Sequence, residues 1–127
     1  MTFSLSRKSL GKLGGVNPDL VKVVKRAIEL TTVDFGITEG LRSITRQKEL
    51  VAQGKSQTMR SRHITGHAVD IVAYVKGKVS WENHLYDKIA EAFFKAGEEY
   101  DINIVYGGNW KSFRDSCHFE LNREDYP

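Results

Sequence analysis

The segment HITGHAVDIVAYV, residues 63–75, places one acid inside the most strand-like run of the chain. Val69, Ile71, Val72 and Val75 are the β-branched apolar residues that favour a buried strand, and Asp70 stands among them. Removing an unpaired carboxylate from water costs several kcal/mol or more. Any fold of this chain must therefore bring a backbone donor, an arginine or a cation to Asp70. His63 precedes the acid by seven residues, so on an unbroken strand the two face opposite sides. A helix would align them, but Ile64, Thr65, Gly66, Val69, Ile71 and Val72 disfavour helix. Gly66 permits a bulge or bend that shifts the register by one, which predicts that His63 and Asp70 converge.

The rest of the chain offers one ordinary domain to build around that point. It has 127 residues, 40% hydrophobic and 28% charged, the balance of a globular protein. No apolar run approaches the roughly 20 residues that cross a bilayer. Residues 1–16 are rich in Gly, Ser and Lys and read as a loose lead-in. They lack an uninterrupted apolar segment after their basic residues and make a poor signal peptide, which points to synthesis in a cytoplasm. The net charge of +3 suits an anionic partner such as nucleic acid, membrane or cell wall without choosing among them. A single cysteine, Cys117, excludes an internal disulfide and a multi-thiolate metal site, and alternation turns it inward as an inert thiol.

Asn17 as N-cap, Pro18 at the first helical position and Asp19 beside it open a helix over 18–30. Leu20, Val24, Ala27 and Ile28 share its apolar face. FGITEG, 35–40, reads as a strand, 45–53 as a helix stopped by Gly54, and 55–62 as a basic loop. Residues 63–75 form the central strand, with a turn at 76–78. Ser80 caps a third helix whose stripe is Leu85, Ile89, Ala92, Phe93, Ala96 and Tyr100. Strands at 102–108 and 117–121 flank a loop. This order predicts an α+β fold, a small antiparallel or mixed sheet backed by about three helices.

In CHFEL, strand alternation sends Cys117, Phe119 and Leu121 to one face and His118 with Glu120 to the other. His63, Asp70 and His118 together supply two imidazoles and one carboxylate, a three-ligand set suited to a catalytic zinc ion. Spacing alone leaves the alternatives open: a backbone-bonded or arginine-paired aspartate, and histidines that are ordinary polar groups.

SRHITGHAVD, 61–70, matches the S-x-H-x-x-G-x-A-x-D signature of the zinc peptidases that resemble D-alanyl-D-alanine carboxypeptidases, the vancomycin-resistance dipeptidases and the Hedgehog N-domain. D-x-x-H follows downstream, from Asp115 to His118. With NPDLVKVVKRAIEL, the G-x-R of residues 40–42, YGGNW (106–110) and HFEL, the chain most resembles the L-alanyl-D-glutamate peptidase endolysins of tailed phages. The resemblance implies a Hedgehog-like or D-Ala-D-Ala-peptidase-like fold over 1–127 with no separate wall-binding domain. It implies His63, Asp70 and His118 as ligands of Zn2+, Asp115 as general base and Arg42 as the group that holds the substrate carbonyl or carboxylate. It also implies bacterial peptidoglycan as partner, no nucleic acid, no stable membrane insertion, and access to the wall once another protein opens the membrane. The expected state is a monomer.

Around this set, His67 is expected to line the cleft or support it, Tyr106 and Trp110 to line the substrate groove or pack, and Gln47 to contact substrate or sit on a helix surface. Glu120 is the reserve candidate for general base. His84 is expected in solvent and Trp81 in a structural role. Competing readings are a D-alanyl-D-alanine carboxypeptidase or dipeptidase, a non-catalytic zinc-stabilised domain, and a helix-turn-helix DNA binder. The last is opposed by FGITEG, which separates the two basic helices.

Overall fold

A computed structural model describes residues 3–56, 58–110 and 114–127. Helix α2, Pro18–Leu30, starts where the capping signals place it: Asn17 accepts a hydrogen bond from the Asp19 amide at 2.9 Å. The long helix α4, Asn83–Tyr100, buries Leu85, Ile89, Ala92, Phe93 and Ala96, whereas Tyr100 is exposed and receives Lys22 over its ring. Its first turn lies beyond Ser80: the N-cap is Glu82, without a side-chain cap, so Ser80 is not the capping residue. Helix α3, Ile44–Ala52, is capped by Ser43 and followed by Gly54 at φ +75°.

Strands β1 (Asp34–Glu39), β2 (Ala68–Val75), β4 (Ile104–Tyr106) and β5 (His118–Leu121) form an antiparallel sheet in the order β1-β2-β5-β4. A short strand β3, Lys78–Ser80, not expected from sequence, pairs with the far end of β2. Val69, Ile71 and Ala73 of β2 and Phe119 and Leu121 of β5 face a common core with α2 and α4. The opposite face carries Asp70, His118 and Glu120. The α+β expectation holds, with four α-helices among the described residues where about three are expected.

Further local expectations are corrected. In its described part, 3–16, the N-terminal stretch is no loose lead-in: Arg7–Lys12 form helix α1, Leu13 and Val16 join the core, and buried Ser9 accepts a hydrogen bond from the Ile37 amide at 3.0 Å. The central strand begins at Ala68, not His63, because residues 62–66 form a turn. Gly66 serves that turn at φ +76° instead of a bulge, and its absent side chain leaves room for the Gly15 carbonyl. The register irregularity of the sheet lies in β1, between Ile37 and Glu39.

Candidate metal centre and its cleft

Asp70 sits on the central strand, in register with Glu39 on one side and His118 on the other. Antiparallel partners project their side chains to the same face, so the sheet itself sets Asp70 beside His118. His63 arrives from the 62–66 turn and is clamped by the segment 40–42. Its Nδ1–H donates to the Gly40 carbonyl at 2.8 Å, and the Arg42 amide donates to the His63 carbonyl at 2.9 Å. The G-x-R pattern thus has a physical meaning: residues 40–42 hold the imidazole in one orientation.

Both inner imidazole nitrogens converge on one carboxylate oxygen. His63 Nε2 and His118 Nδ1 each lie 3.1 Å from Asp70 Oδ1, and the donor atoms of all three residues lie within 4.8 Å of one another. The outer nitrogens are already engaged, His63 with Gly40 and His118 with Glu120 at 2.9 Å. A neutral ring that donates outward presents a lone pair inward, and two lone pairs facing a carboxylate repel unless a cation lies between them. The donor set therefore fits a divalent metal ion, with the outer partners fixing each ring.

Electrostatics agree with that strain. Burial opposes ionisation of Asp70, yet its bonds to His118 and His63 hold the carboxyl well below the usual range. Burial also opposes charge on His118, but its bonds to Asp70 and Glu120 prevail and push it up to about 9.

The triad opens onto a cleft of about 300 Å³, lined also by Arg42, Trp110, Asp115 and Glu120. Burial, followed by the nearby Asp70 charge, raises the Asp115 carboxyl above its ordinary value, as suits a proton acceptor. Asp115 is set by its own loop: its carboxylate accepts from the Cys117 amide at 3.2 Å, and its amide donates to the Gly107 carbonyl at 3.0 Å. Arg42 pairs with Glu39, donates to Gln47 at 2.7 Å and reaches to 3.8 Å from Asp70. The arginine-paired reading of Asp70 and the metal reading thus describe the same site.

Other expected residues fall elsewhere. Gln47 is fully buried, not on the helix surface, and supports Arg42 while donating to Ser56 and Thr58. Tyr106 does not line the cleft: it stacks on Phe119 in the core, and its hydroxyl donates to Asp87. His67 is turned towards Tyr126 and Thr65, away from the cleft lining. Cys117 is half-buried beside the core and pushed up by burial to about 11. His84 is exposed, and Trp81, also exposed, stacks on Tyr86. The loop expected over 109–116 includes 111–113, which lie outside the described residues. Arg62, buried against Glu120, and Glu39, the partner of Arg42, are cleft residues that sequence reasoning missed. Position inside SRHITGHAVD was the signal available for Arg62.

Comparison with known proteins agrees with this geometry. Residues 1–126 match the family described as phage L-alanyl-D-glutamate peptidase. An L-alanyl-D-glutamate peptidase of Escherichia phage T5 is 35% identical over 99% of this chain and 94% of its own length. Another, of Listeria phage A118, is 31% identical over 98% of this chain, which spans 43% of that protein. The crystal structure of the Serratia marcescens L-Ala D-Glu endopeptidase ChiX superposes with a TM-score of 0.92 at 50% identity, covering 95% of this chain and 91% of that one. The chain belongs to the phage L-alanyl-D-glutamate peptidase family.

Proposed function

We propose that this chain is a zinc-dependent peptidoglycan peptidase that hydrolyses the L-alanyl–D-glutamate bond of stem peptides, as an endolysin in host lysis. The observation that carries the reading is the convergence of His63 Nε2, His118 Nδ1 and the Asp70 carboxylate within 4.8 Å at the floor of a cleft. A zinc ion bound there would polarise a carbonyl and make a coordinated water acidic enough to lose a proton near neutral pH.

The chain's own residues supply the rest. Asp115 takes a proton from the attacking water and returns it to the leaving amine, and its raised affinity for protons suits both transfers. Glu120 is poorly placed for that work, since His118, Arg62 and Arg123 already engage its carboxylate. Arg42, held by Glu39 and Gln47, offers its guanidinium to the carbonyl oxygen as negative charge develops there. Trp110, with its ring centroid 5.2 Å from that of His118, gives the substrate an apolar wall. No helix among the described residues is long and apolar enough to cross a membrane. On this reading the enzyme works as a monomer and reaches the wall from the host cytoplasm after the membrane has been opened.

Metal analysis of the purified protein together with mass spectrometry of digested muropeptides tests the reading. Stoichiometric zinc and fragments split between L-alanine and D-glutamate are expected, with wall lysis lost in chelator. Release of terminal D-alanine alone would transfer the chain to the carboxypeptidases.

A further inference from the structure

Arg62 is the one described residue with a buried side-chain nitrogen that has no hydrogen-bond partner. It is 8% exposed, next to the ligand His63 in sequence, and its Nε lies 3.8 Å from Glu120 Oε2. The far end of the guanidinium is anchored: Nη2 donates to the carbonyls of Leu121 and Tyr126. Tyr126 is itself tied down, its hydroxyl donating to Asp19 at 2.6 Å. The other oxygen of Glu120, Oε1, faces His118 Nε2 at 2.9 Å.

We infer that Arg62 is a positioning residue for the metal centre, acting through Glu120 on the ring of His118. The inference rests on the metal reading above. Glu120 is 5% exposed, and a carboxylate so far from water needs a fixed positive partner to stay charged. Arg123 also reaches it, at 3.6 Å, but its side chain is 63% exposed and free to swing into solvent. Arg62 is immobilised by two backbone carbonyls, so its charge faces one oxygen of Glu120 while the other accepts from His118. That keeps the His118 proton on Nε2 and leaves Nδ1 open towards Asp70 and the ion. A purely structural Arg62 would tie the closing segment down without caring about Glu120.

Zinc affinity measured by competition with a chromophoric chelator separates these roles. The variants are Arg62→Gln, which keeps an amide donor for the two carbonyls, Arg62→Ala, Glu120→Gln and the double variant Arg62→Gln/Glu120→Gln, with circular dichroism to verify folding. Glu120→Gln should weaken zinc binding by about 10–100-fold. Arg62→Gln should lose about tenfold by the same route, and the double variant should be no weaker than Glu120→Gln alone. Nitrogen NMR of the zinc-loaded protein should find the His118 proton on Nε2 in the wild type and misplaced or exchanging in Arg62→Gln. Unchanged affinity in a folded Arg62→Gln, or losses that simply add in the double variant, would overturn the inference while leaving the peptidase reading intact. Wild-type protein that binds no zinc would remove both.

Discussion

Gly107 and Asp115 touch through their backbones: the Asp115 amide donates to the Gly107 carbonyl at 3.0 Å, and a Cβ built on Gly107 would stand 2.4 Å from the Asp115 carbonyl oxygen. The same Cβ would come within 3.1 Å of the His118 side chain. Gly107→Ala must therefore displace the loop that carries Asp115, the proposed general base. A misplacement of about 1 Å costs on the order of a hundredfold in turnover. We expect kcat for peptide hydrolysis to fall by about that factor, with KM changed far less. Asp115→Ala, which removes the acceptor outright, should keep its zinc and lose more. Steady-state kinetics beside metal content check both, and a Gly107→Ala enzyme of normal kcat would mean that the loop shifts without consequence.

The parts legible in sequence are those specified by local chemistry. Asn17, Pro18 and Asp19 cap α2 from neighbouring residues alone, and alternation in β5 separates Phe119 and Leu121 from His118 and Glu120 without reference to a partner. The triad was legible because its spacing within SRHITGHAVD and its distance from D-x-x-H are a family pattern. What escaped depends on long-range contacts. Helix α1 contains Gly11, a poor helix former, and its site is fixed by Ser9 accepting from Ile37 on β1. Tyr106 is open on sequence between groove and packing, and what decides for packing is its register partner Phe119, which faces the core. Gln47 reads as a substrate contact or a helix-surface residue because α3 is short and weakly amphipathic, yet Ser56 and the Thr58 carbonyl close over it and take up its amide. Of the two devices that Gly66 allows for bringing His63 to Asp70, a bulge or a bend, the chain uses the bend, a turn over 62–66.

Gln47 holds Arg42 from behind, accepting from Nη1 at 2.7 Å while donating to Ser56 at 2.8 Å. Gln47→Ala leaves Arg42 Nη1 with only the long bond to Ser61 at 3.4 Å and takes the donor from the Thr58 carbonyl, a loss of about 1–3 kcal/mol in stability. Arg42 is also freed to move, so kcat/KM should fall together with the melting temperature. In an Arg42→Ala background the kinetic effect of Gln47→Ala should disappear while the stability loss remains in part. A double-mutant cycle on kcat/KM checks this, and strict additivity would separate Gln47 from Arg42.

Gly66 is required by backbone conformation and by space. Its φ is +76°, a Cβ there would lie 2.6 Å from the Gly15 carbonyl, and its own carbonyl accepts from the Asn17 amide at 2.8 Å. Left-handed backbone costs a non-glycine residue about 1–2 kcal/mol before any clash. Gly66→Ala should therefore lower stability by at least about 2 kcal/mol and weaken zinc binding, because the same turn presents His63. Denaturant unfolding with chelator-competition titration reads both. Unchanged metal affinity in a destabilised protein would show that His63 is held by the segment 40–42 without help from the turn.

Metal uptake should release a proton, and the sign follows from His118. Its folded value of about 9 lies above the ordinary 6.5, so in the metal-free protein the imidazolium contributes stability that is full below 6.5 and lost as pH rises through 9. Asp70 acts in the opposite sense: its depressed value contributes stability above the ordinary 3.8, lost as pH falls through the folded value. The metal-free protein is thus best supported by this pair between about pH 4 and 6.5. A ligating His118 must give up its proton, so zinc affinity should rise about tenfold per pH unit until pH approaches 9. Calorimetric titration at pH 7.5 in two buffers of different ionisation enthalpy should report close to one proton released per ion. A buffer-independent enthalpy would mean that His118 is already neutral before the metal arrives, and that its bonds to Asp70 and Glu120 do not hold a charge.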